Sequence, residues 1–129
     1  MQKNPIGWVE IPVTDLDRAE KFYLDFFGYQ LTRQPEQQGY TMSWFPMEEE
    51  MTGYGSACTL MKGEGYVPSH EGALVYFTAP TGRVDTSIDK AEKLGIKVLV
   101  PTMSIGEHGF MAVVQDSEGN KIAIHSMEG

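Results

Sequence analysis

The 129-residue chain is predicted to be an α+β protein: two βαβββ modules forming a curved mixed-sheet cup with helices outside. Three observations carry that expectation. The order strand, helix, three strands occurs twice, once over residues 1–64 and again over residues 72–129. Residues repeat along with it, since Val13-Thr14-Asp15 through Gly28-Tyr29-Gln30-Leu31 is echoed by Val84-Asp85 through Gly95-Ile96-Lys97-Val98. Each half, at about 60 residues, buries too little surface to be comfortable alone, so the halves are expected to join in one domain spanning 1–129.

The elements follow from local pattern. Gly7 to Val13 alternates Trp8, Glu10 and Pro12 with Val9, Ile11 and Val13, the period of a strand. Thr14-Asp15 offers a helix N-cap. Behind it Leu16, Ala19, Phe22, Tyr23, Phe26 and Phe27 recur at three and four residues, and Gly28 is placed to end the helix in a left-handed conformation. Asp17 and Lys21 stand at the spacing of a helical ion pair. Strands are expected at Gln30–Arg33, Tyr40–Phe45 and Ala57–Lys62. Between the last two lies the run Glu48-Glu49-Glu50, read as a solvated loop. Gly63 to Gly72 reads as a linker. In the second half, Ala73–Thr78 is a strand, Val84-Asp85 caps a helix carrying Ile88, Ala91 and Leu94, and Gly95 closes it. Lys97–Pro101 is a strand, and Phe110–Gln115 and Lys121–Ser126 form a hairpin across Asp116-Ser117-Glu118-Gly119-Asn120.

Composition narrows the function. Ten Lys/Arg against eighteen Asp/Glu give a formal charge of -8, which argues against nucleic acid as a partner and is compatible with attracting a cationic small molecule. No run approaches the roughly 20 apolar residues that span a bilayer, and no apolar leader follows Met1, so neither membrane nor secretion is expected. Cys58 is the single cysteine; with no intrachain disulfide available, a cytoplasmic location is expected.

The opening Ile11-Pro12-Val13-Thr14-Asp15-Leu16-Asp17-Arg18-Ala19, the pairs Phe22-Tyr23 and Phe27-Gly28, and the closing Asp116-Ser117-Glu118-Gly119-Asn120-Lys121-Ile122 together resemble the vicinal oxygen chelate superfamily. That group includes glyoxalase I, extradiol dioxygenases, bleomycin-resistance proteins and fosfomycin-resistance enzymes. The resemblance covers nearly the whole chain and implies a glyoxalase-like cup, often completed in a homodimer, with a divalent metal held by His and Glu on four inner strands. The matching positions here are Trp8, Leu74, a residue near Thr59, and Ala123. None is the expected ligand, so no metal and no cofactor is expected at the usual place. Glyoxalase I activity is not expected either.

Strand alternation puts Glu10, Tyr76 and His125 two residues beyond Trp8, Leu74 and Ala123, on the same inner face. Glu10, flanked by Trp8 and Pro12, is expected to be partly desolvated, an environment suited to general acid/base work with His125 across the cleft. The plainer reading is a Glu10 bonded to a backbone amide or to His125. Trp8, Tyr76, Trp44, Phe110 and His108 are the candidate substrate-binding residues, with Tyr40 as a further aromatic. A displaced divalent metal site would draw on Glu10, His125 and Glu107 or His108. Two functions follow. One is a bleomycin-resistance-like protein that binds a small molecule in a metal-free cup. The other is a lyase, isomerase or dioxygenase-type enzyme acting on a small oxygenated metabolite through Glu10 and His125.

Overall fold

Asp15 starts the first helix as its spacing predicts: its carboxylate accepts the Arg18 N–H at 3.0 Å, capping α1 (Leu16–Phe27). Gly28, at φ 82°, ends it and returns its N–H to the last turn. The structure, a computed structural model, describes residues 6–48 and 55–129; the expected acidic loop from Glu49 onward lies outside the described residues. The first module is β1 (Trp8–Pro12), α1, β2 (Thr32–Arg33), β3 (Thr41–Trp44) and β4 (Ala57–Lys62). The second is β5 (Val75–Thr78), α2 (Val84–Leu94), β6 (Val98–Ser104), a 3-10 turn at Gly106–His108, β7 (Phe110–Gln115) and β8 (Lys121–Ser126).

Each module makes one four-stranded mixed sheet, in the orders β1-β4-β3-β2 and β5-β8-β7-β6. The first and last strands pair in parallel, Glu10 opposite Thr59 and Tyr76 opposite Ala123. The other neighbours pair antiparallel. Among the described residues no ladder joins the two sheets; they are joined by packing. One face of each sheet enters a shared core, with Ile11, Val13 and Leu60 from the first module and Phe77, Ile122 and Ile124 from the second. Phe77 carries the junction. Its ring lies 4.7 Å from Phe27, 5.8 Å from Tyr23 and 5.9 Å from Phe45, all of the first module, at separations typical of stabilising aromatic pairs. The opposite faces are the open ones, where Trp8, Glu10 and Tyr76 are exposed, although Met111, Val113 and Ala123 bury a smaller cluster on the second.

A polar bolt closes the same junction. Buried Asp116 accepts the Tyr23 hydroxyl at 2.8 Å, and Asn120 donates to the Pro12 carbonyl at 2.7 Å. Glu118 reaches the N-terminus of α1, accepting the N–H groups of Thr14 and Asp15 at 2.9 and 2.8 Å and the Arg18 guanidinium at 2.6 Å.

Several local expectations are corrected. Asp17 does not pair with Lys21. It meets Arg33 at 2.7 Å, while Lys21 turns to Asp25. Arg33, from β2, bridges Asp17 and Glu20, a better arrangement for a forked guanidinium than for a single ammonium. Val84-Asp85 is not a cap but the first turn of α2. The cap position is Arg83, whose side chain cannot accept, and the Glu128 carbonyl takes the Val84 N–H instead. The first-module strand expected at Gln30 shrinks to Thr32–Arg33. Strand β6 runs on through Pro101 to Ser104, with register shifts on either side of Val100, the second spanning Pro101; a proline lacks the N–H that a regular ladder needs.

Candidate functional site

Strands β1 and β5 are each the edge of their own sheet, and between them opens a cavity of about 680 Å3. The volume is that of an ordinary small-molecule site. Trp8, Glu10 and Pro12 stand on the β1 wall, and Leu74 and Tyr76 on the β5 wall. Val67, Ser69 and Glu71 of the linker form a third side, and Asn120 and Lys121 close one end. Cys58 also reaches the wall, from the core side. Burial pushes its thiol up to about 12, so it is a protonated apolar filler rather than a nucleophile.

Trp8 and Trp44 stand together on the open face, centroids 6.2 Å apart and rings at 85°. The register explains the meeting: Trp8 neighbours Ala57 and Trp44 neighbours Thr59, two small side chains in the same row of β4. Trp44 therefore supports Trp8 from behind and is not itself in the cavity wall. Glu10 is exposed rather than desolvated, and its partner is neither a backbone amide nor His125. The Tyr66 hydroxyl donates to its Oε1 at 2.7 Å.

His125 lies on the open face of β8, in register with Thr78 and one same-face step beyond the Tyr76–Ala123 pair, and is not among the residues that line the cavity. Its Nε2 lies 2.7 Å from the backbone carbonyl of His108. A carbonyl only accepts, so Nε2 carries a hydrogen. The His108 side chain itself is exposed and sits 3.8 Å from Glu107. Phe110 is a correction. Two-residue alternation along β7 places it with Ala112 and Val114, and it packs on the helix-side core instead of lining the cup. The structure thus brings Trp8, Glu10 and Tyr76 into one cavity, with Trp44 beside it, and leaves His125 and His108 outside.

The positions where the resemblance implies metal ligands carry other chemistry here. Trp8, Leu74 and Ala123 offer no donor, and the Thr59 hydroxyl is already directed at the Ser43 carbonyl, 3.1 Å away. Among the described residues no three His, Cys, Asp or Glu side chains come together in a way that could hold a metal ion; the displaced set of Glu10, His125 and Glu107 or His108 is not assembled.

Sequence reasoning missed Tyr66 and Glu71. Both belong to the linker, where glycines and proline erase any period, and nothing local shows that it folds back over the cleft. Also, among the described residues, no helix is long and apolar enough to cross a membrane.

Comparison with known proteins agrees with this architecture. A family model for bleomycin resistance protein-like N-terminal domains matches residues 6–46. A glyoxylase-like domain-containing protein of Didymella fabae is 30% identical, over 96% of this chain and 94% of that relative. Among solved structures, the antibiotic binding protein TnmS3 from Streptomyces sp. CB03234 superposes with a TM-score of 0.67 at 21% identity, over 98% of both chains. The trypanothione-dependent glyoxalase I of Leishmania major gives 0.69 at 23% identity, over 97% of this chain and 88% of that one. With its paired βαβββ modules and a glyoxylase-like relative matched almost end to end, the chain belongs to the vicinal oxygen chelate superfamily, the glyoxalase, bleomycin-resistance and dioxygenase group.

Proposed function

We propose that this protein binds a flat aromatic cation in the cavity between β1 and β5, without the superfamily's metal. The observation that carries the reading is Trp8. An indole stands where the family would place a first-strand ligand, and it shares one cavity with the Glu10 carboxylate and the Tyr76 ring. Indole and phenol faces attract cations, Glu10 and Glu71 outnumber Lys121 on the walls, and the chain's charge of -8 draws cations toward them. An antibiotic binding protein among the structures of similar fold is in keeping with a sequestering role.

The test is calorimetric titration with acridine orange, a planar tricyclic cation. Binding is expected at one dye per chain, weakened about tenfold by Glu10→Gln, the scale of one lost charge-assisted contact, and weakened again by added salt. No binding at millimolar dye, or equal affinity in Glu10→Gln, would sink the reading.

The protein is further proposed to act as a cytoplasmic homodimer. Met103, Ile105 and Met127, where β6 and β8 end, leave apolar surface exposed, the kind of surface that a two-fold related copy covers. Sedimentation velocity is expected to give twice the chain mass at micromolar concentration; a single-chain mass there would refute the dimer.

A further inference from the structure

A second cavity, of about 330 Å3, is lined by Gln37, Gln38, Tyr40, Met42, Met61 and Tyr66. It lies on the same open face as the first. Met61 is the register neighbour of both Pro12 and Met42, one inward-facing step along β4 from Thr59, the partner of Glu10. The two cavities meet at a single hydrogen bond: Glu10 lines the larger, Tyr66 lines the smaller, and the Tyr66 hydroxyl donates to Glu10 at 2.7 Å.

We propose that the two cavities are subsites of one elongated site, with the ligand's cationic centre at Glu10, its apolar end among Met42, Met61 and Tyr40, and Tyr66 as the specificity-determining residue between them. The inference rests on the reading of the larger cavity given above. Thioethers are polarisable and fit themselves to irregular apolar groups and to ring edges, so the smaller subsite suits an alkyl or aryl tail. Tyr66 is held in place from three sides. Its N–H bonds the Gly63 carbonyl at 3.1 Å, its ring meets Tyr40 edge-on at 5.9 Å, and its hydroxyl is on Glu10. Tyr40 in turn lies against the bare backbone of Gly63, where a Cβ would fall 2.1 Å from its ring. The bond to Glu10 also holds the Tyr66 phenol above its ordinary range, so at neutral pH it is a neutral donor. A cation makes the stronger, charge-assisted bond to the same carboxylate. Only a cationic ligand therefore has reason to displace Tyr66 and pass into the methionine subsite; a neutral one stays in the larger cavity.

Two dyes that differ only in a tail test this: 9-aminoacridine and 9-(nonylamino)acridine, both of which keep the ring N–H of the acridinium cation. The nonyl dye is expected to bind the protein about tenfold more tightly, which is what burying roughly two methylenes returns. In Tyr66→Phe, which keeps the ring against Tyr40, both dyes are expected to bind several-fold more tightly because the carboxylate is already free. In Met42→Gln the tail's advantage is expected to shrink to about twofold. Binding of 9-aminoacridine with no advantage for the tail, a tail advantage that Met42→Gln leaves unaltered, or affinities that Tyr66→Phe leaves unaltered would overturn the second subsite and leave the first standing. Failure of both dyes to bind the protein and Tyr66→Phe alike would overturn both readings together.

Discussion

Gly109→Ala is expected to destabilise the fold by about 3 kcal/mol, lowering Tm by about 10 °C, and to free His125 from its anchor. Gly109 has φ 102° and ψ -136°, in the left-handed half of backbone space where an L side chain is strained. Space is lacking as well, because an added Cβ would stand 2.4 Å from the Ser126 carbonyl oxygen and 2.9 Å from the Met127 Cα. These are backbone atoms of the adjoining chain and cannot swing away. The turn is also tied by the Ile105 N–H to the Gly109 carbonyl, 2.8 Å, the Gly109 N–H to the Gly106 carbonyl, 3.2 Å, and the Gly106 N–H to the Ser104 hydroxyl, 3.2 Å. Lifting it moves the His108 carbonyl off His125 Nε2. Thermal unfolding and the imidazole nitrogen shifts of His125 read the two consequences separately. A Tm within about 2 °C of the parent would show that the turn absorbs a side chain and that this account of its tightness is wrong.

Glu118→Gln is expected to cost about 2 kcal/mol at neutral pH, the scale of hydrogen bonds to a charged group, and nearly nothing at pH 2. Burial pushes the Glu118 carboxyl up, but the hydrogen bonds from Arg18, from the Asp15 and Thr14 N–H groups and from the Ser117 hydroxyl outweigh it and hold the group at about 2. The carboxylate also sits at the N-terminus of α1, where the helix dipole favours negative charge. Because the folded value lies below the ordinary 4.5, the stability contributed is fully present above about pH 4.5 and is lost as pH falls from there toward 2. The parent is therefore expected to lose stability across that window, and Glu118→Gln to lose less. Part of the remaining slope belongs to Glu20, where burial raises the carboxyl but bonds from Arg33 and Ser43 bring it below its ordinary value. Parallel stability curves for parent and variant between pH 5 and 2 would contradict the assignment. Arg18 itself is largely exposed, so Arg18→Ala should fall well short of Glu118→Gln.

The fold was legible because the two periods were clean. Val9, Ile11 and Val13 alternate with Trp8, Glu10 and Pro12, and that alternation put Trp8 and Glu10 on one face; that this face is the inner one was implied by the resemblance, which sets Trp8 at a ligand position. The helix stripe of Ala19, Tyr23 and Phe26 likewise needed nothing beyond its spacing. Phe110 was misplaced because aromatic character was weighed without its phase in β7, which Ala112 and Val114 set. Glu10 was given the wrong partner for a different reason. A carboxylate's neighbour across 56 residues of chain, here Tyr66, leaves no periodic trace in a glycine-rich linker. Nor does any local pattern state that β1 and β5 would remain unpaired edges facing one cavity, since that is decided by how Phe77 seats among the first module's rings. His108 mattered through its backbone carbonyl, a role its side-chain chemistry does not advertise.

The central claim is a metal-free cup built around Trp8 and Glu10. It is tested most directly by a native mass spectrum of protein purified without chelator from cells supplied with zinc, nickel, manganese and iron, recorded before and after addition of acridine orange. The account predicts chains carrying no metal ion, each taking up one dye. One divalent ion per chain, retained when the dye is added, would contradict it.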